Sequence, residues 1–277
     1  MIEGRYQDMP PLPFTPGMEI SGEILEVGAD VEDFAPGDQI IAFSGHGGLA
    51  KETQVAAARC LKRPSTMDDV TGAAFQIAYG TSHLALTRRA TLQPGERLLV
   101  LGAGGGVGLT AVELGAGIGA EVIAVARGAD KLDAAKAAGA TILIDSDQTD
   151  DLRTAILEQG RVDVIYDAVG GDTGEAAARC LAPEGRYLLI GFASGDLPRL
   201  KPNHMLVKNT TAIGFYWGGY LAFRPDLLRN SLATLMDWHA EGRISPRIDR
   251  VMPLSEANDG LELLRSRRAT GKVVITP

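Results

Sequence analysis

Four consecutive apolar residues, Leu98–Leu101, open a stretch in the middle of the chain that carries no charge until Glu113. Such a short apolar run is typical of a strand buried on both faces of a sheet, and the segment from Val107 onward has apolar residues at helical spacing. Glycines lie between the two, so the sequence predicts a strand and a helix joined by a glycine-rich turn. The uncharged stretch is too short and too rich in glycine for a membrane span, which needs about 20 helical residues.

Strand and helix patterns continue to alternate after this turn, with short loops between them. This alternation predicts an α/β fold with a doubly wound parallel sheet, in which ligands bind at the carboxyl ends of the strands. The predicted strands are Glu121–Ala126, Thr141–Ile144, Val162–Tyr166, Arg186–Ile190 and Thr211–Phe215, and the predicted helices are Asp130–Ala138, Leu152–Glu158 and Thr173–Leu181.

The flanking segments have a different pattern. Alternating apolar and polar residues, with turn pairs such as Pro36-Gly37, predict a small antiparallel or barrel-like domain within residues 14–60. We expect the last strand, which lies far from the sheet in sequence, to return to this domain. The predicted strands are Ile20–Val27, Gln39–Phe43, Glu52–Val55, Ile248–Met252 and Lys272–Thr276, and the predicted helices are Pro225–Ala240 and Glu256–Arg267.

The glycine-rich turn carries the main functional signal. Amide groups at a helix N-terminus attract anions, and residues without a Cβ let a phosphate approach the backbone. The spacing departs from the usual G-x-G-x-x-G fingerprint, since Gly102, Gly105 and Gly108 give G-x-x-G-x-x-G. A tight turn that binds no ligand is the alternative, but the order of strand and helix around it favours the pyrophosphate of a dinucleotide. The candidate residues are Gly102, Gly104, Gly105, Gly106, Val107 and Gly108, with Val169, Gly170, Gly191, Phe192 and Ala193, which follow two later strands.

The end of the second predicted strand indicates which dinucleotide binds. An NAD site usually places an acidic residue there, ~20 residues past the glycine turn, to bind the ribose hydroxyls. Here the position is Ala126, followed by Arg127, with Lys131 one helical turn later. Two cations without a carboxylate at that position suit the 2′-phosphate of NADPH. The alternative is that Arg127 and Lys131 are solvated surface charges.

Composition narrows the class of protein further. The 277 residues give room for two domains. The protein has a net charge of −8 and an isoelectric point near 5.1, so its electrostatic field does not attract nucleic acid or an anionic membrane. We therefore expect neither as a partner. The two cysteines, Cys60 and Cys180, lie far apart without C-x-x-C spacing, which indicates neither a disulfide framework nor a structural zinc site. Since the N-terminal residues show no signal peptide, we expect a cytoplasmic protein.

Several short motifs connect the chain with a known family. They are Pro16-Gly-Met-Glu-Ile-Ser-Gly22, Phe34-Ala-Pro-Gly-Asp-Gln39, Leu92-Gln-Pro-Gly-Glu96, Gly102-Ala-Gly-Gly-Gly-Val-Gly108, Asp167-Ala-Val-Gly-Gly171, Gly191-Phe-Ala-Ser-Gly195 and Gly271-Lys-Val-Val274. In this combination the chain resembles the medium-chain dehydrogenases/reductases, and within them the zinc-free quinone oxidoreductase and zeta-crystallin branch. The resemblance implies a GroES-like catalytic domain of residues 1–80, completed by residues 218–277, and a Rossmann domain of residues 81–217 with NADPH in the cleft.

The resemblance also implies roles for residues outside the glycine turn. The acceptor site would be lined by Tyr6, Thr81, Tyr216 and Trp217, and further cofactor contacts would come from Ser146, Phe215 and Lys272. For the aromatic residues the alternative role is hydrophobic packing at a domain seam. Because Ser146 stands where the family often has a tyrosine, we expect adenine to be bound more loosely.

Zinc alcohol dehydrogenases share this architecture, so we examined separately whether the chain has the ligands of a zinc site. Their Gly-His-Glu ligand motif is replaced here by Gly17-Met18-Glu19, and the chain has no cysteine-rich lobe. Without His and Cys ligands a tetrahedral zinc site is not expected. We expect Glu19 to be a buried structural carboxylate with backbone or arginine partners. The four histidines do not have the spacing of a cluster: His46, His83, His204 and His239.

These features favour a zinc-independent NADPH:quinone oxidoreductase, in which the cofactor supplies hydride to a small-molecule acceptor. Two alternatives remain: an NADPH-dependent reductase of the C=C bond in enals or enones, and a non-catalytic NADPH-binding protein.

The apolar strand Thr211–Phe215 at the edge of the sheet predicts a two-fold homodimer, as in the family. Relatives carry about fifty further N-terminal residues, including an asparagine near the nicotinamide, so we expect this 277-residue form to bind NADPH but to reduce quinones poorly.

Overall fold

The computed structural model describes Gly4 and residues 9–277. Two compact units make up the chain: the first combines the chain up to Ile77 with Met236–Pro277, and the second is Ala78–Leu235. The strands are β1 (Glu19–Glu23), β2 (Gln39–Phe43), β3 (Cys60–Lys62), β4 (Arg97–Leu101), β5 (Glu121–Ala126), β6 (Ile142–Asp145), β7 (Val162–Asp167), β8 (Leu181–Leu189), β9 (Thr211–Gly214), β10 (Ile248–Pro253) and β11 (Lys272–Thr276). The α-helices are α1 (Asp69–Ala73), α2 (Gln76–His83), α3 (Gly106–Ile118), α4 (Ala129–Ala137), α5 (Leu152–Glu158), α6 (Gly171–Ala178), α7 (Pro202–Lys208), α8 (Tyr220–Phe223), α9 (Pro225–Ala240) and α10 (Ala257–Arg265).

The second unit is built on a parallel sheet with the strand order β6-β5-β4-β7-β8-β9. Its central strands carry continuous apolar runs because helices cover both faces; Leu98, Leu99, Val100 and Leu101 of β4 are all fully buried. Since the strands are parallel, their carboxyl ends lie along one edge of the sheet. The turns that follow β4, β5, β6, β7 and β8 therefore meet there.

The first unit contains a three-stranded antiparallel sheet, β1-β2-β3, and a parallel pair, β10-β11. Glu19 at the start of β1 joins segments from both ends of the chain. Its carboxylate pairs with the ammonium of Lys272 in β11, and its Oε2 accepts a hydrogen bond of 2.9 Å from the backbone N–H of Ile77. The expected buried carboxylate is thus found, with a backbone partner and with lysine in place of arginine.

Most predicted elements agree with the structure to within two residues at each end, but β8 begins five residues before the predicted strand Arg186–Ile190, and three further predictions are wrong in extent or existence. The predicted strand Ile20–Val27 is shortened to β1, because Leu25 and Val27 are 60% and 38% exposed and face no core. The predicted strand Glu52–Val55 does not form, and most of its residues are exposed. The predicted helix Thr173–Leu181 ends early as α6, since Leu181 is buried in the sheet as the first residue of β8.

A bidentate ion pair connects the turn before β4 to β8. Nη1 and Nη2 of Arg186 each lie 2.7 Å from one carboxylate oxygen of Glu96, and Arg186 Nε donates to the carbonyl of Ala90 at 3.0 Å. The hydrogen bonds from Arg186 hold the pKa of Glu96 below its ordinary value of 4.5, against the opposing effect of burial. Because the folded-state pKa is the lower one, the pair stabilises the fold fully above the ordinary value, and this contribution disappears as the pH falls through the folded-state value.

We predict that Glu96→Gln lowers the free energy of unfolding by about 1.5–3 kcal/mol at pH 7, the range for a hydrogen bond to a charged group. The difference from the wild type should stay constant between pH 6 and 8 and shrink below about pH 4.5 as the wild-type carboxylate is protonated. Urea denaturation followed by circular dichroism measures it. The control is Glu158→Gln at the exposed end of α5, which should change little; a Glu96 effect independent of pH would contradict the assignment.

Candidate functional site

The glycine-rich turn leaves β4 in a conformation that favours glycine. Gly102 has a φ of +75°, and the N–H groups of Gly102 and Ala103 both donate to the carbonyl of Val125 at 3.0 Å, which ties the turn to the end of β5. Helix α3 starts at Gly106 after the N-cap residue Gly105, and among the described residues no side chain caps it. The first N–H groups of a helix have no acceptors inside the helix, so these donors are open to an anion at the carboxyl edge of the sheet.

The other glycines of the turn allow close packing. A Cβ at Gly108 would lie 2.1 Å from the carbonyl oxygen of Gly102, so only a hydrogen fits between α3 and the end of β4. A Cβ at Gly115, two turns further along α3, would lie 2.4 Å from Leu98 Cδ2. These two glycines let α3 lie directly on β4, which holds its N-terminus at the turn.

The two predicted cations lie at this turn in different environments. Arg127 follows β5 directly, is exposed, and forms no hydrogen bond or ion pair within the described part of the chain. The aliphatic stem of Lys131 crosses the turn, since a Cβ at Gly104 would lie 2.5 Å from Lys131 Cβ and 2.9 Å from its Cδ. The structure thus brings Lys131 onto the glycine turn and leaves Arg127 open to solvent beside it.

A carboxylate that the sequence analysis missed lies next to Arg127. Asp145 ends β6, and its Oδ1 accepts hydrogen bonds from the N–H groups of Gly128 at 3.1 Å and Asp147 at 3.0 Å. The neighbouring Ser146 donates its hydroxyl to the carbonyl of Ala126 at 3.3 Å. Asp145 pairs with Ala126 in the register of β5 and β6. Its position next to Arg127 could therefore be predicted from the sequence only if that register were known. Asp145 fixes the turn that presents Arg127.

The loops after β7 and β8 are organised by the buried carboxylate of Asp167. This residue is 1% exposed, and its Oδ1 accepts from the N–H groups of Val169 and Gly170, each at 2.8 Å. Its Oδ2 accepts from the hydroxyl of Tyr187 in β8. Burial, reinforced by the neighbouring negative charge, raises the pKa of Tyr187, so the phenol remains a donor.

Backbone hydrogen bonds then connect the two loops to each other and to the glycine turn. The N–H of Gly191 donates to the carbonyl of Asp167 at 3.1 Å, and the N–H of Ala193 donates to Ala168 at the same distance. Val169 packs on the glycine turn, with its Cγ2 3.0 Å from the position of a Cβ at Gly102. Phe192 is 46% exposed at this edge. The predicted cofactor-binding positions of the three turns therefore form one continuous surface.

A second feature that sequence patterns did not indicate is a buried hydroxyl network below α3. The hydroxyl of Ser82 lies 2.8 Å from that of Thr110 and 2.9 Å from that of Tyr166, and it donates to the carbonyl of Val107 at 3.0 Å. Burial raises the pKa of Tyr166. This network connects α2 and β7 to the first turn of α3, where the candidate anion-binding donors lie.

The residues assigned to the acceptor site have different degrees of burial. Tyr6 lies outside the described residues, and Thr81 is 7% exposed in α2. Trp217 is 4% exposed and packs on α2, since a Cβ at Gly80 would lie 2.4 Å from its Nε1. Phe215 is also buried, with its ring centroid 5.6 Å from that of Tyr220. The packing role therefore fits Trp217 and Phe215, whereas Tyr216 is 37% exposed.

The described residues contain no group of three or more His, Cys, Asp or Glu side chains arranged to hold a metal ion. The ammonium of Lys272, a predicted cofactor contact, pairs with Glu19 within the first unit. His83 Nδ1 lies 2.7 Å from the hydroxyl of Ser231, and His239 Nδ1 lies 3.2 Å from the carbonyl of Ile244. None of the helices described is both long and apolar enough to cross a membrane.

A parallel sheet whose first strand ends in an anion-binding glycine turn defines a dinucleotide-binding α/β protein. Residues 106–239 match the family described as zinc-binding dehydrogenase, and residues 1–76 match the alcohol dehydrogenase GroES-like domain. A quinone oxidoreductase-like protein 2 homolog of Nematostella vectensis is 38% identical over 98% of this chain and 76% of its own length. The chain belongs to the medium-chain dehydrogenase/reductase superfamily, in its quinone oxidoreductase branch.

Solved structures agree with this assignment. The quinone oxidoreductase of Escherichia coli, crystallised with NADPH, has a TM-score of 0.89 and 27% identity, with 98% of this chain and 85% of that chain covered. The quinone oxidoreductase of Thermus thermophilus, also solved with NADPH, has a TM-score of 0.84 and 28% identity, with 99% and 85% covered. The predicted family and fold class are confirmed, and the NADPH expected from the sequence is the dinucleotide in both neighbours.

We predict that Gly108→Ala destabilises the second unit, because the added methyl group would overlap the Gly102 carbonyl; overpacking of this kind costs about 1–3 kcal/mol. The matched control is Gly117→Ala, also in α3, where a Cβ would meet nothing within 4 Å. That exchange should stabilise the helix by about 0.5–1 kcal/mol. Urea denaturation curves compare the two variants, and equal effects would mean that the close approach at Gly108 does not constrain the fold.

Proposed function

We propose that the protein is an NADPH-dependent oxidoreductase that transfers hydride to a quinone without a metal. The observation that carries this proposal is the lysine stem of Lys131 lying on Gly104, with exposed Arg127 beside it at the open N-terminus of α3. Cations at an anion-binding turn suit a dinucleotide that carries an additional phosphate. The NADPH bound to the related quinone oxidoreductases supports the same reading.

The turns at the carboxyl edge would hold this cofactor. The open N–H groups of the glycine turn suit the pyrophosphate, and the small residues there leave room for its approach. Arg127 and Lys131 would bind the 2′-phosphate, with Asp145 fixing the turn between them. Val169, Gly170, Gly191, Phe192 and Ala193 would line the remainder of the cofactor on a surface held by Asp167. When bound, NADPH supplies a hydride.

The chain's own contribution to the reaction is binding and orientation. Reduction of a quinone needs a hydride and a proton, and the reduced oxygens of a quinone can take that proton from solvent, so no dedicated acid is required. We assign the acceptor site to Tyr6, Thr81, Tyr216 and Trp217 on the family resemblance. Of these, Tyr216 has the exposure that contact with a small molecule requires. The two-fold homodimer through the outer strand β9 stays a prediction.

Steady-state oxidation of NADPH with 1,4-benzoquinone and with 2-hexenal tests the reaction. We expect kcat/KM to be at least about tenfold higher for the quinone, a difference of 1.4 kcal/mol in transition-state stabilisation. Prior dialysis against a chelator should leave the rate unchanged. Slow turnover that still favours the quinone agrees with the proposal. A preference for the enal would indicate a C=C reductase, and tight NADPH binding without any turnover on either acceptor would indicate a non-catalytic NADPH-binding protein.

We predict that Arg127→Ala weakens NADPH binding by about 1.5–3 kcal/mol, or roughly 10- to 150-fold, because it removes a hydrogen bond to a charged group. NADH binding should change by less than about twofold, since that cofactor lacks the 2′-phosphate. Fluorescence titration of both cofactors measures the effect. The control is Lys136→Ala, which removes an exposed cation from the last turn of α4. Equal wild-type affinities for NADH and NADPH would refute the choice of cofactor.

A further inference from the structure

A cavity lies in the second unit, with part of its wall formed by the amino ends of three strands of the parallel sheet. Its volume is about 220 Å³. Arg161 on its wall directly precedes β7, Leu181 is the first residue of β8, and Thr211 is the first residue of β9. These are amino ends of parallel strands, whereas the glycine turn follows a carboxyl end. Other lining residues, Arg199, Leu200 and Lys201, lie in the segment after β8, but no lining residue is among those assigned to the cofactor, so the cavity is separate from the candidate cofactor site.

The walls of this cavity carry a concentration of positive charge that the composition of the chain does not suggest. The protein has a net charge of −8, yet the cavity is lined by a single carboxylate, Glu175, among the residues described. Glu175 lies 3.6 Å from Arg199 and 3.7 Å from Lys201. The cationic residues that line the cavity are Arg153, Arg161, Arg179, Arg199, Lys201 and Lys208.

Among the described residues, three of these cations have no carboxylate partner: Arg161, Arg179 and Lys208 form no ion pair. Arg153 forms no ion pair either but is attracted by the nearby Asp151, whose carboxylate oxygens accept hydrogen bonds from Thr154. Arg199 and Lys201, by contrast, share Glu175. Cations that lie close together without a carboxylate repel one another. An anion that binds between them is attracted by all of them and relieves this repulsion.

Two of the cationic groups converge on one atom. Arg161 Nη1 and Lys208 Nζ both donate to the carbonyl oxygen of Leu181, at 3.2 and 2.9 Å, and Lys208 also donates to the carbonyl of Arg179 at 2.9 Å. Both cationic groups are thus held in place by the backbone. Burial, together with repulsion by Arg161, lowers the pKa of Lys208, which agrees with a cation that lacks a counter-charge.

Apolar side chains form the rest of the cavity. Leu181, Leu200 and Met205 line it, together with Tyr187, whose hydroxyl is bound to Asp167. A ligand that fits must therefore combine a group of high negative charge with an apolar body. A phosphate group suits several convergent lysine and arginine donors better than a monoanionic carboxylate, because it carries more charge and more acceptor oxygens.

We propose that this cavity binds an organic phosphate, with the phosphate group held by Arg161 and Lys208 and the apolar part of the molecule against Leu200 and Met205. The site does not depend on the proposed oxidoreductase activity, since it uses none of the residues assigned to NADPH or to the acceptor. It gives the protein a binding site for a second small molecule on the same unit that carries the glycine turn.

Isothermal titration calorimetry of the full chain with phenyl phosphate tests this proposal. We expect binding at the cavity, which Arg161→Gln and Lys208→Met should each weaken by at least about tenfold through loss of a charge-assisted hydrogen bond. Lys136→Met and Arg127→Ala should leave it within about twofold, because they remove cations outside the cavity. Lys208→Arg, which keeps the charge and the donors, should retain binding even if Lys208→Met loosens the fold.

Three outcomes would overturn the proposal. The first is no heat of binding up to about 10 mM phenyl phosphate, equivalent to an affinity too weak for a built site. The second is weakening by Arg127→Ala instead of Arg161→Gln, which would place the ligand at the glycine turn. The third is equal or tighter binding of benzoate, which would show that the cavity selects a carboxylate. Thermal unfolding of each variant confirms that it is folded under the conditions of titration.

Discussion

The approach of helix α3 to the carboxyl end of strand β4 is the contact on which the candidate site depends. With room for only a hydrogen at Gly108, the helix rests on the Gly102 carbonyl, and its open N–H groups come to the same edge as the ends of β5 and β7. Any side chain at that position would push the helix away and separate these donors from the loops that complete the surface. The Ser82, Thr110 and Tyr166 hydroxyls hold the same turn of the helix from below.

The buried carboxylate of Asp167 has a structural role, because it positions the segments that donate hydrogen bonds to it. An isolated charge in a protein interior is costly, but this one accepts hydrogen bonds from two backbone N–H groups and from Tyr187. Each of these donors belongs to a segment whose position matters at the carboxyl edge. The loop after β7 and the strand that leads into the next loop are therefore positioned by one side chain. The aspartate needs no catalytic role to explain its burial.

Elements of the second unit were largely predictable from periodicity. Strand β5 and helix α5 have the predicted bounds. A strand that is covered on both faces has a continuous run of apolar residues, and a helix that packs on one side has an apolar residue every three to four positions. The predicted strand Glu52–Val55 was wrong, because apolar and polar residues also alternate in exposed segments that form no strand. In the site, glycine spacing and the cations after β5 could be found in the sequence. Asp145 and the Ser82 network could not, because they depend on strand register and on contacts between distant segments.

The first unit is discontinuous, since it combines the early part of the chain with Met236–Pro277. The pair between Glu19 and Lys272 joins residues that are 253 positions apart. A ribosome releases the chain from its N-terminus, and domains generally fold as units when all of their residues are available. All residues of the second unit therefore leave the ribosome before the strand that carries Lys272. The partner of Glu19 in β11 thus becomes available only after the whole of the second unit has been synthesised.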